Sequence, residues 1–303
     1  MNSNKLSRIC VYVSNIRPDF NSDEFKAQQR QMWNNAAAGW QDWWETIERG
    51  AQKVSEKIVQ LAEIKPGDKV LDIATGIGEP AVTAAKRVKP NGKVVAIDIS
   101  RQMLAIAKTR AASLGLDAIM EFREGDGEKL DFPDQTTKFD AILSRWGLMF
   151  FPNLSEVLIK IRQMLVTNGR LSAAVWSAPS KVPWLDLAFA SVRKQINAPA
   201  PPSGTPGPFA LAEVEALKQS FSQAGFKDIK IDTFQITFEF DSPESYTKLH
   251  QQTATRIHAM LANQTEEVKM QAWNSITEAV WQYADSHGRV NLDNEVICIV
   301  GRN

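Results

Sequence analysis

The stretch "VLDIATGIGEPAVTAA", residues 70–85, decides the fold, because an apolar run ends in an acid and a glycine-rich turn then leads into small residues. Gly76, Gly78 and Ala81 fit the pattern G-x-G-x-x-G/A, and Asp98 follows at about the distance of a ribose-binding acid on a second strand. A nicotinamide dehydrogenase is the first interpretation of this pattern. An ordinary strand-to-helix turn, whose glycines only allow positive φ, is the structural alternative.

The segments around this turn alternate between β-type runs and helical patterns. Helices are predicted through Arg87, over 101–114, over 154–165 and within 210–226, and two further β-type runs cover 228–240 and 295–302. Alternation of this kind predicts a parallel sheet covered on both faces by helices. The β-type runs of the alternating part are "KVLDIA", "KVVAIDI", "AIMEFREGD", "FDAILSRW" and "RLSAAVWS".

The flanking segments predict additions to this α/β core. We expect an N-terminal arm over 1–22, either extended or not needed by the fold, and a helical cap over 23–63, where Trp33, Trp40 and Trp44 share one helical stripe. The core domain is expected over 64–303. Its lid or insertion segments are about 179–209, which ends in a Pro-rich loop, and 243–287, a helical insertion with one apolar face: Tyr246, Leu249, His250, Thr253, Ile257 and Met260.

Composition excludes several partner classes. Lys plus Arg and Asp plus Glu both total 35, so no net charge favours nucleic acid or an anionic membrane surface. Cys10 and Cys298 lie in no metal-ligand spacing, which predicts no metal site and fits a reducing compartment. The apolar run "ICVYV" is too short for a signal peptide or a membrane span. We therefore expect a soluble, cytoplasmic protein.

Three acids shift the interpretation of the glycine turn. Asp72, Asp98 and Asp126 each stand at the C-terminal end of a predicted strand, where ligands of open α/β sheets bind. An acid four residues before Gly76 would oppose a pyrophosphate at the helix N-terminus. A ligand with an ammonium group, a ribose and an adenine but no phosphate would match the three acids in turn. Solvated strand-end carboxylates are the structural alternative.

The chain here resembles the class I S-adenosylmethionine-dependent methyltransferases, in the branch near the ubiquinone/menaquinone C-methyltransferases. The resemblance covers roughly residues 65 to 176 and implies a Rossmann-like, doubly wound, mostly parallel seven-stranded sheet with an antiparallel last strand. It also implies the N-terminal helical cap and a helical insertion before the last strand. The matching segments are "VLDIATGIGEPA", "VVAIDISRQMLAIAK", "EFREGDGEKLDFPDQTTKFDAILSRWGLMFFPN" and "NGRLSAAVW".

The resemblance implies a role for each matching position. Asp72 and the 74–78 loop would bind the methionine part, Asp98 both ribose hydroxyls and Asp126 the adenine amino group. One departure is alanine in place of the family's usual first glycine. The remaining cofactor contacts would come from Ala74, Thr75, Gly76 and Gly78 in the loop, Ile99 and Met103 against adenine and ribose, Gly127 and Leu130 at the base edge, Ser144 and Arg145 near the methyl donor, and Trp33 and Trp40 on the cap.

Candidate acceptor residues follow the fourth and fifth strands. Trp146, Met149 and Trp184 predict an apolar or aromatic pocket for a small methyl acceptor, although such residues are also typical of a core. Transfer from a sulfonium mainly needs alignment and exclusion of water, but an acceptor that loses a proton also needs a base. His250 is the candidate base, with a core histidine satisfied by a backbone carbonyl as its alternative.

The sequence thus predicts methyl transfer from S-adenosylmethionine, with S-adenosylhomocysteine as product, to carbon, oxygen or nitrogen of a small hydrophobic molecule. Two alternatives stay open. One is a protein that keeps the cofactor pocket as a scaffold, for instance a cyclase. The other is a nicotinamide dehydrogenase, which Asp72 and Asp126 disfavour. The acceptor and the oligomeric state do not follow from the sequence.

Overall fold

A computed structural model describes residues 21–129, 137–202 and 204–303. Seven strands form one sheet in the order β3-β2-β1-β4-β5-β7-β6, with β7 antiparallel to both of its neighbours and the pairs from β3 to β5 parallel. This confirms the predicted fold class, including the antiparallel last strand. The strands are β1 Lys69–Ile73, β2 Lys93–Asp98, β3 Met120–Glu124, β4 Phe139–Arg145, β5 Leu165–Trp176, β6 Lys227–Phe240 and β7 Val290–Arg302.

Helices cover both faces of the sheet. Leu71 and Ile73 of β1 pack on the side of α5 and α7, whereas Val70 packs on the side of α3, because successive side chains of a strand point to opposite faces. The helices are α1 Ser22–Asp42, α2 Trp44–Leu61, α3 Ala81–Val88, α4 Arg101–Ser113, α5 Leu154–Met164, α6 Pro183–Gln195, α7 Val214–Gln223, α8 Pro243–Thr253, α9 Thr255–Leu261 and α10 Glu266–Val280.

The N-terminal cap consists of two helices that meet at Trp43, where φ is −97° and ψ is 9°. Asn21 begins α1 by accepting a hydrogen bond from the Glu24 amide at 3.1 Å. The tryptophan stripe is therefore divided between the helices, with Trp33 and Trp40 on α1 and Trp44 on α2. All three still pack in one cluster, around Ala36, Ala37, Ile77 and Met103. Of the predicted arm, residues 1–20 lie outside the described residues.

The insertion between β6 and β7 is three helices rather than one amphipathic helix. Ala254 leaves the helical region, with φ −89° and ψ 70°, and separates α8 from α9. His250 and Ile257 are both buried but lie on different helices, so the single predicted face does not exist. A capping box between Ser242 and Ser245 begins α8.

We expect Gly39→Ala to lower the free energy of unfolding by about 1–3 kcal/mol, because overpacking forces shifts in a close contact. A Cβ at Gly39 would lie 2.2 Å from the Gln252 carbonyl oxygen, at the contact of α1 with α8. Chemical denaturation measures the change. Ala38→Ser, at the exposed neighbouring position, is the control; equal stability of the two variants would contradict the close packing of the cap.

Candidate functional site

A cavity of about 260 Å³ opens at the carboxyl ends of β1 to β4 and is covered by α1 and by the insertion helices. One end is formed by the loops after the strands, and the other by aromatic side chains from β4, β5 and α6. The first end includes Ala74, Thr75, Gly76, Ile77, Glu79, Asp98, Ile99, Met103, Asp126, Gly127 and Arg145. The aromatic end includes Trp146, Met149, Phe150, Trp176, Trp184 and Phe189.

The loop after β1 turns through three residues with positive φ: Ala74 at 60°, Gly76 at 56° and Gly78 at 111°. A Cβ at Gly76 would meet nothing within 4 Å, so the backbone of this residue faces open space. Ala74, the departure from the glycine pattern, occupies the left-handed region that costs an L-residue about 1–2 kcal/mol. The loop therefore keeps the conformation of a glycine turn at a cost in strain.

Asp98 anchors this loop and lines the cavity. Its Oδ2 accepts a hydrogen bond from the Gly76 amide at 2.8 Å, and its Oδ1 accepts one from the Ser100 amide at 2.8 Å. Burial raises the pKa of the Asp98 carboxyl to about 6, although the backbone donors oppose the shift. The second strand thus presents a carboxylate with free lone pairs at the position predicted for the ribose acceptor.

Asp72 lies behind the wall of the cavity rather than in it. The carboxyl is fully buried, its Oδ2 accepts a hydrogen bond from Ala81 N at 3.1 Å at the start of α3, and burial raises its pKa to about 8. Glu79, which the sequence did not single out, is the acid of this loop that lines the cavity. Its position inside "GIGEPA" was the available signal.

Two further predicted contacts also stand behind the wall. Ser144 donates a hydrogen bond from Oγ to the Ile73 carbonyl at 3.0 Å, which ties β4 to β1. Gly78 packs on α4, since a Cβ there would lie 3.3 Å from the Cβ of Ala107. Asp72, Gly78 and Ser144 therefore position the loop instead of lining the cavity.

The cap closes on the acid that follows β3. Lys26 of α1 forms ion pairs with Asp126, at 3.0 Å, and with Glu128. Gly127 allows Phe151 to approach, because a Cβ at Gly127 would lie 2.6 Å from Phe151 Cζ. Leu130, the other residue predicted at the base edge, lies outside the described residues.

The remaining predicted cofactor residues also line the cavity: Ile99, Met103, Trp33 and Trp40. Trp33 makes edge contacts with Trp40 and with Phe150, at ring-centroid distances of 6.1 Å and 5.7 Å. The cap is therefore joined to the aromatic end of the cavity by ring contacts.

Arg145 forms a buried ion pair with the cap. Its Nη1 and Nη2 donate to the two carboxylate oxygens of Glu48 at 2.8 and 3.0 Å, and Nη1 also donates to Ser55 Oγ at 2.9 Å. Burial disfavours the charge, but Glu48 and other carboxylates raise the pKa of the Arg145 guanidinium overall. The positive charge of Arg145, at the predicted methyl-donor region, is thus neutralised by Glu48 of α2. The sequence did not indicate this partner.

The aromatic end brings together all three residues predicted to bind the acceptor. Trp146 stacks on Trp176 with ring centroids 4.4 Å apart, and Trp184 packs on Phe238 at 4.3 Å. Met149 also lines this end of the cavity. This end of the cavity is suited to a flat apolar group.

His250 contacts a backbone carbonyl, as expected for a core histidine rather than for a catalytic base. Its Nε2 lies 3.0 Å from the Trp184 carbonyl oxygen, and burial lowers the pKa of the imidazole to about 4. Because a carbonyl only accepts, Nε2 carries the proton and the ring is neutral near pH 7. Tyr246 donates to the same carbonyl at 2.9 Å. This arrangement anchors α8 to α6 and leaves a weak base.

The described residues offer neither a metal-binding cluster nor a membrane-spanning helix. Within them, no group of three or more His, Cys, Asp or Glu side chains could hold a metal ion. None of the helices in the described ranges combines the length and the hydropathy of a membrane-spanning segment.

Residues 64–200 match a family model described as a methyltransferase domain. The ubiquinone/menaquinone biosynthesis C-methyltransferase UbiE of Pseudomonas entomophila (strain L48) is 34% identical over 122 residues, which are 40% of this chain and 47% of that protein. The match thus spans about half the length of this curated relative.

Solved structures share the fold at low identity. Phosphoethanolamine N-methyltransferase 2 of Haemonchus contortus aligns with a TM-score of 0.55 and 16% identity, over 94% of this chain and 60% of that chain. The cyclase SpnF aligns with a TM-score of 0.51 and 18% identity, over 84% of this chain and 81% of that one. One architecture therefore carries both methyl transfer and cyclisation.

Proposed function

We propose that this protein, whose residues 64–200 match a methyltransferase domain, is a class I S-adenosylmethionine-dependent methyltransferase that transfers the methyl group to a small, apolar or aromatic molecule. The observation that carries the proposal is the pairing of two environments in one cavity. Asp98, Asp126 and Glu79 lie at the ends of strands or in the loops that follow them, and the aromatic end of the cavity adjoins them.

The charges of the wall fit a cationic ligand without phosphate. Lys26 and Arg145, two cations on the wall, are already paired with carboxylates of this chain. Glu79 is buried next to the loop, so it is placed to face an ammonium group, the role that the resemblance implies for Asp72. Asp98 would accept the ribose hydroxyls and Asp126 the adenine amino group. Carboxylates at this edge of the sheet would repel the pyrophosphate of a dinucleotide.

Buried donors at the wall also support a bound ligand. Trp40 and Trp146 line the cavity, and their indole N–H groups are buried without an acceptor among the described residues. Buried polar groups are normally paired. A ligand in the cavity would supply acceptors that the described part of the chain does not.

Bound S-adenosylmethionine would supply an electrophilic methyl group on a sulfonium. The residues of this chain would align the acceptor against it and exclude water, with Trp146 and Trp184 as aromatic walls. Trp33 and Trp40 would hold the cap over the cofactor, where an aromatic face also favours a positive charge. His250 would anchor α8 to α6 rather than act as the base, because its Nε2 proton is donated to the Trp184 carbonyl.

We expect the affinity for S-adenosylhomocysteine to fall about tenfold from pH 7 to pH 5, because an ionised Asp98 is the better acceptor and its pKa is about 6. The sign follows from linkage: a ligand that needs the ionised carboxylate is bound less tightly when the pH is below the pKa of Asp98 in the ligand-free protein. Calorimetric titrations across this range measure the change. Asp98→Asn cannot ionise and should show a weak, flat profile; an unchanged slope in this variant would assign the dependence to another group.

Product analysis tests the reaction itself. Protein incubated with methyl-labelled S-adenosylmethionine and a panel of phenols, quinones and aromatic acids should release S-adenosylhomocysteine in equal amount to a methylated product. Conversion of an acceptor without release of S-adenosylhomocysteine would contradict methyl transfer and would favour use of the pocket as a scaffold.

A further inference from the structure

Arg256, on α9, is a cation of the cavity wall whose side chain contacts no carboxylate of the described residues. Lys26 and Arg145, on the same wall, are ion-paired. Within the described ranges, Arg256 makes one hydrogen bond, from Nη1 to the Pro206 carbonyl oxygen at 3.3 Å. A guanidinium has five N–H donors, so most of its capacity is unused.

The setting of Arg256 is unfavourable for an unpaired charge. Arg256 is half-buried, and this burial lowers the pKa of the guanidinium. Among the described residues, no carboxylate forms an ion pair with it. An arginine nevertheless stays protonated in proteins, and a charge that is partly withdrawn from water is stabilised by an anionic partner. The missing counter-charge is therefore expected from a molecule that enters the cavity.

The backbone around Arg256 leaves room for the guanidinium. Gly207 lies against it, since a Cβ at that position would come within 2.4 Å of Arg256 Nη1. The Gly207 amide donates to the Met149 carbonyl at 2.9 Å, which ties the loop that contains Gly207 to the aromatic end of the cavity. The guanidinium of Arg256 is thus held at the wall of the cavity that Met149 also lines.

We infer that Arg256 recognises an anionic group, a carboxylate or a phosphate, on the molecule that occupies the aromatic end of the cavity. As an assignment of the methyl acceptor, this inference rests on the proposed function. A planar guanidinium can bind either anion through two parallel hydrogen bonds, which sets orientation as well as affinity. The acceptor would then be an aromatic or apolar molecule that carries one acidic group, with the rings of Trp146 and Trp184 against its flat part.

Binding of matched probes tests this assignment. Calorimetry with 2-naphthoate, 2-naphthyl phosphate and the neutral 2-naphthamide, with and without saturating S-adenosylhomocysteine, is expected to show at least one anion bound about tenfold or more tightly than the amide. Arg256→Gln should remove this preference and leave the affinity for S-adenosylhomocysteine unchanged. Arg256→Lys should keep part of it. Arg49→Gln, at an exposed cap position, is the matched control and should keep all of it.

The outcomes separate the inference from the proposed function. Equal binding of the three probes, no binding of any, or a preference that survives in Arg256→Gln would overturn the role of Arg256. Circular dichroism checks that Arg256→Gln folds. If it does not fold, Arg256→Lys takes its place, and its preference for the anions is expected to be at least threefold smaller than that of the wild type. A preference for anions in a protein that fails to bind S-adenosylhomocysteine would support Arg256 and contradict the cofactor proposal.

Discussion

Asp98→Ala is expected to weaken the binding of S-adenosylhomocysteine at least about 100-fold. The carboxylate would accept both ribose hydroxyls, and hydrogen bonds to a charged group contribute about 1.5–3 kcal/mol each. At about 1.4 kcal/mol per factor of ten, two such bonds correspond to a loss of two or more orders of magnitude. Calorimetric titration of the purified variant measures the loss directly.

A control is needed because Asp98 also holds the loop through the amides of Gly76 and Ser100. Thermal unfolding and circular dichroism of Asp98→Ala show whether the fold is kept. Asp117→Ala removes an exposed acid from the turn before β3 and should bind like the wild type. Near-native affinity in a folded Asp98→Ala would remove this residue from the proposed cofactor site.

Arg145→Ala is expected to lower the free energy of unfolding by about 3–5 kcal/mol, because the Glu48 carboxylate is then left buried without its partner. Both groups are largely inaccessible, with 7% and 10% of their side-chain surfaces exposed. The substitution also removes the hydrogen bond to Ser55, which joins β4 to α2. Denaturation in urea measures the change, provided that the transition is two-state.

The double variant Arg145→Met with Glu48→Leu separates the buried charge from the packing. It should recover much of the lost stability, because replacing both partners by apolar groups leaves no unpaired charge. Arg49→Ala, in an exposed pair on the same helix as Glu48, should change stability by less than about 1 kcal/mol. A loss of similar size in Arg145→Ala and Arg49→Ala would contradict the structural role of the buried pair.

Local patterns predicted the sheet and much of the cavity wall. β-type runs alternating with helices led to the parallel core, and the family resemblance added the antiparallel last strand; both are confirmed. Asp98 and Asp126 line the cavity because a strand end and the turn after it are positioned by the strand itself. Asp72 differs because the pleat and the start of α3 turn its carboxyl toward Ala81.

The contacts made by the cap and the insertion could not be predicted in the same way. Lys26, Glu48 and Arg256 lie on helices whose docking depends on contacts far apart in sequence, such as Glu48 with Arg145. The helix breaks at Trp43 and Ala254 carry no proline or glycine signal. The ion pair between Lys26 and Asp126 and the position of Arg256 at the cavity wall therefore emerge only in three dimensions.

A calorimetric titration of the purified protein with S-adenosylhomocysteine and, in parallel, with NAD distinguishes the proposed cofactor from a dinucleotide. A ligand that binds the native state also raises its thermal stability, which gives an independent readout on the same samples. We expect one site for S-adenosylhomocysteine, lost in Asp98→Ala, and no binding of NAD. Binding of NAD without binding of S-adenosylhomocysteine would contradict the cofactor assignment and, with it, the proposed methyl transfer.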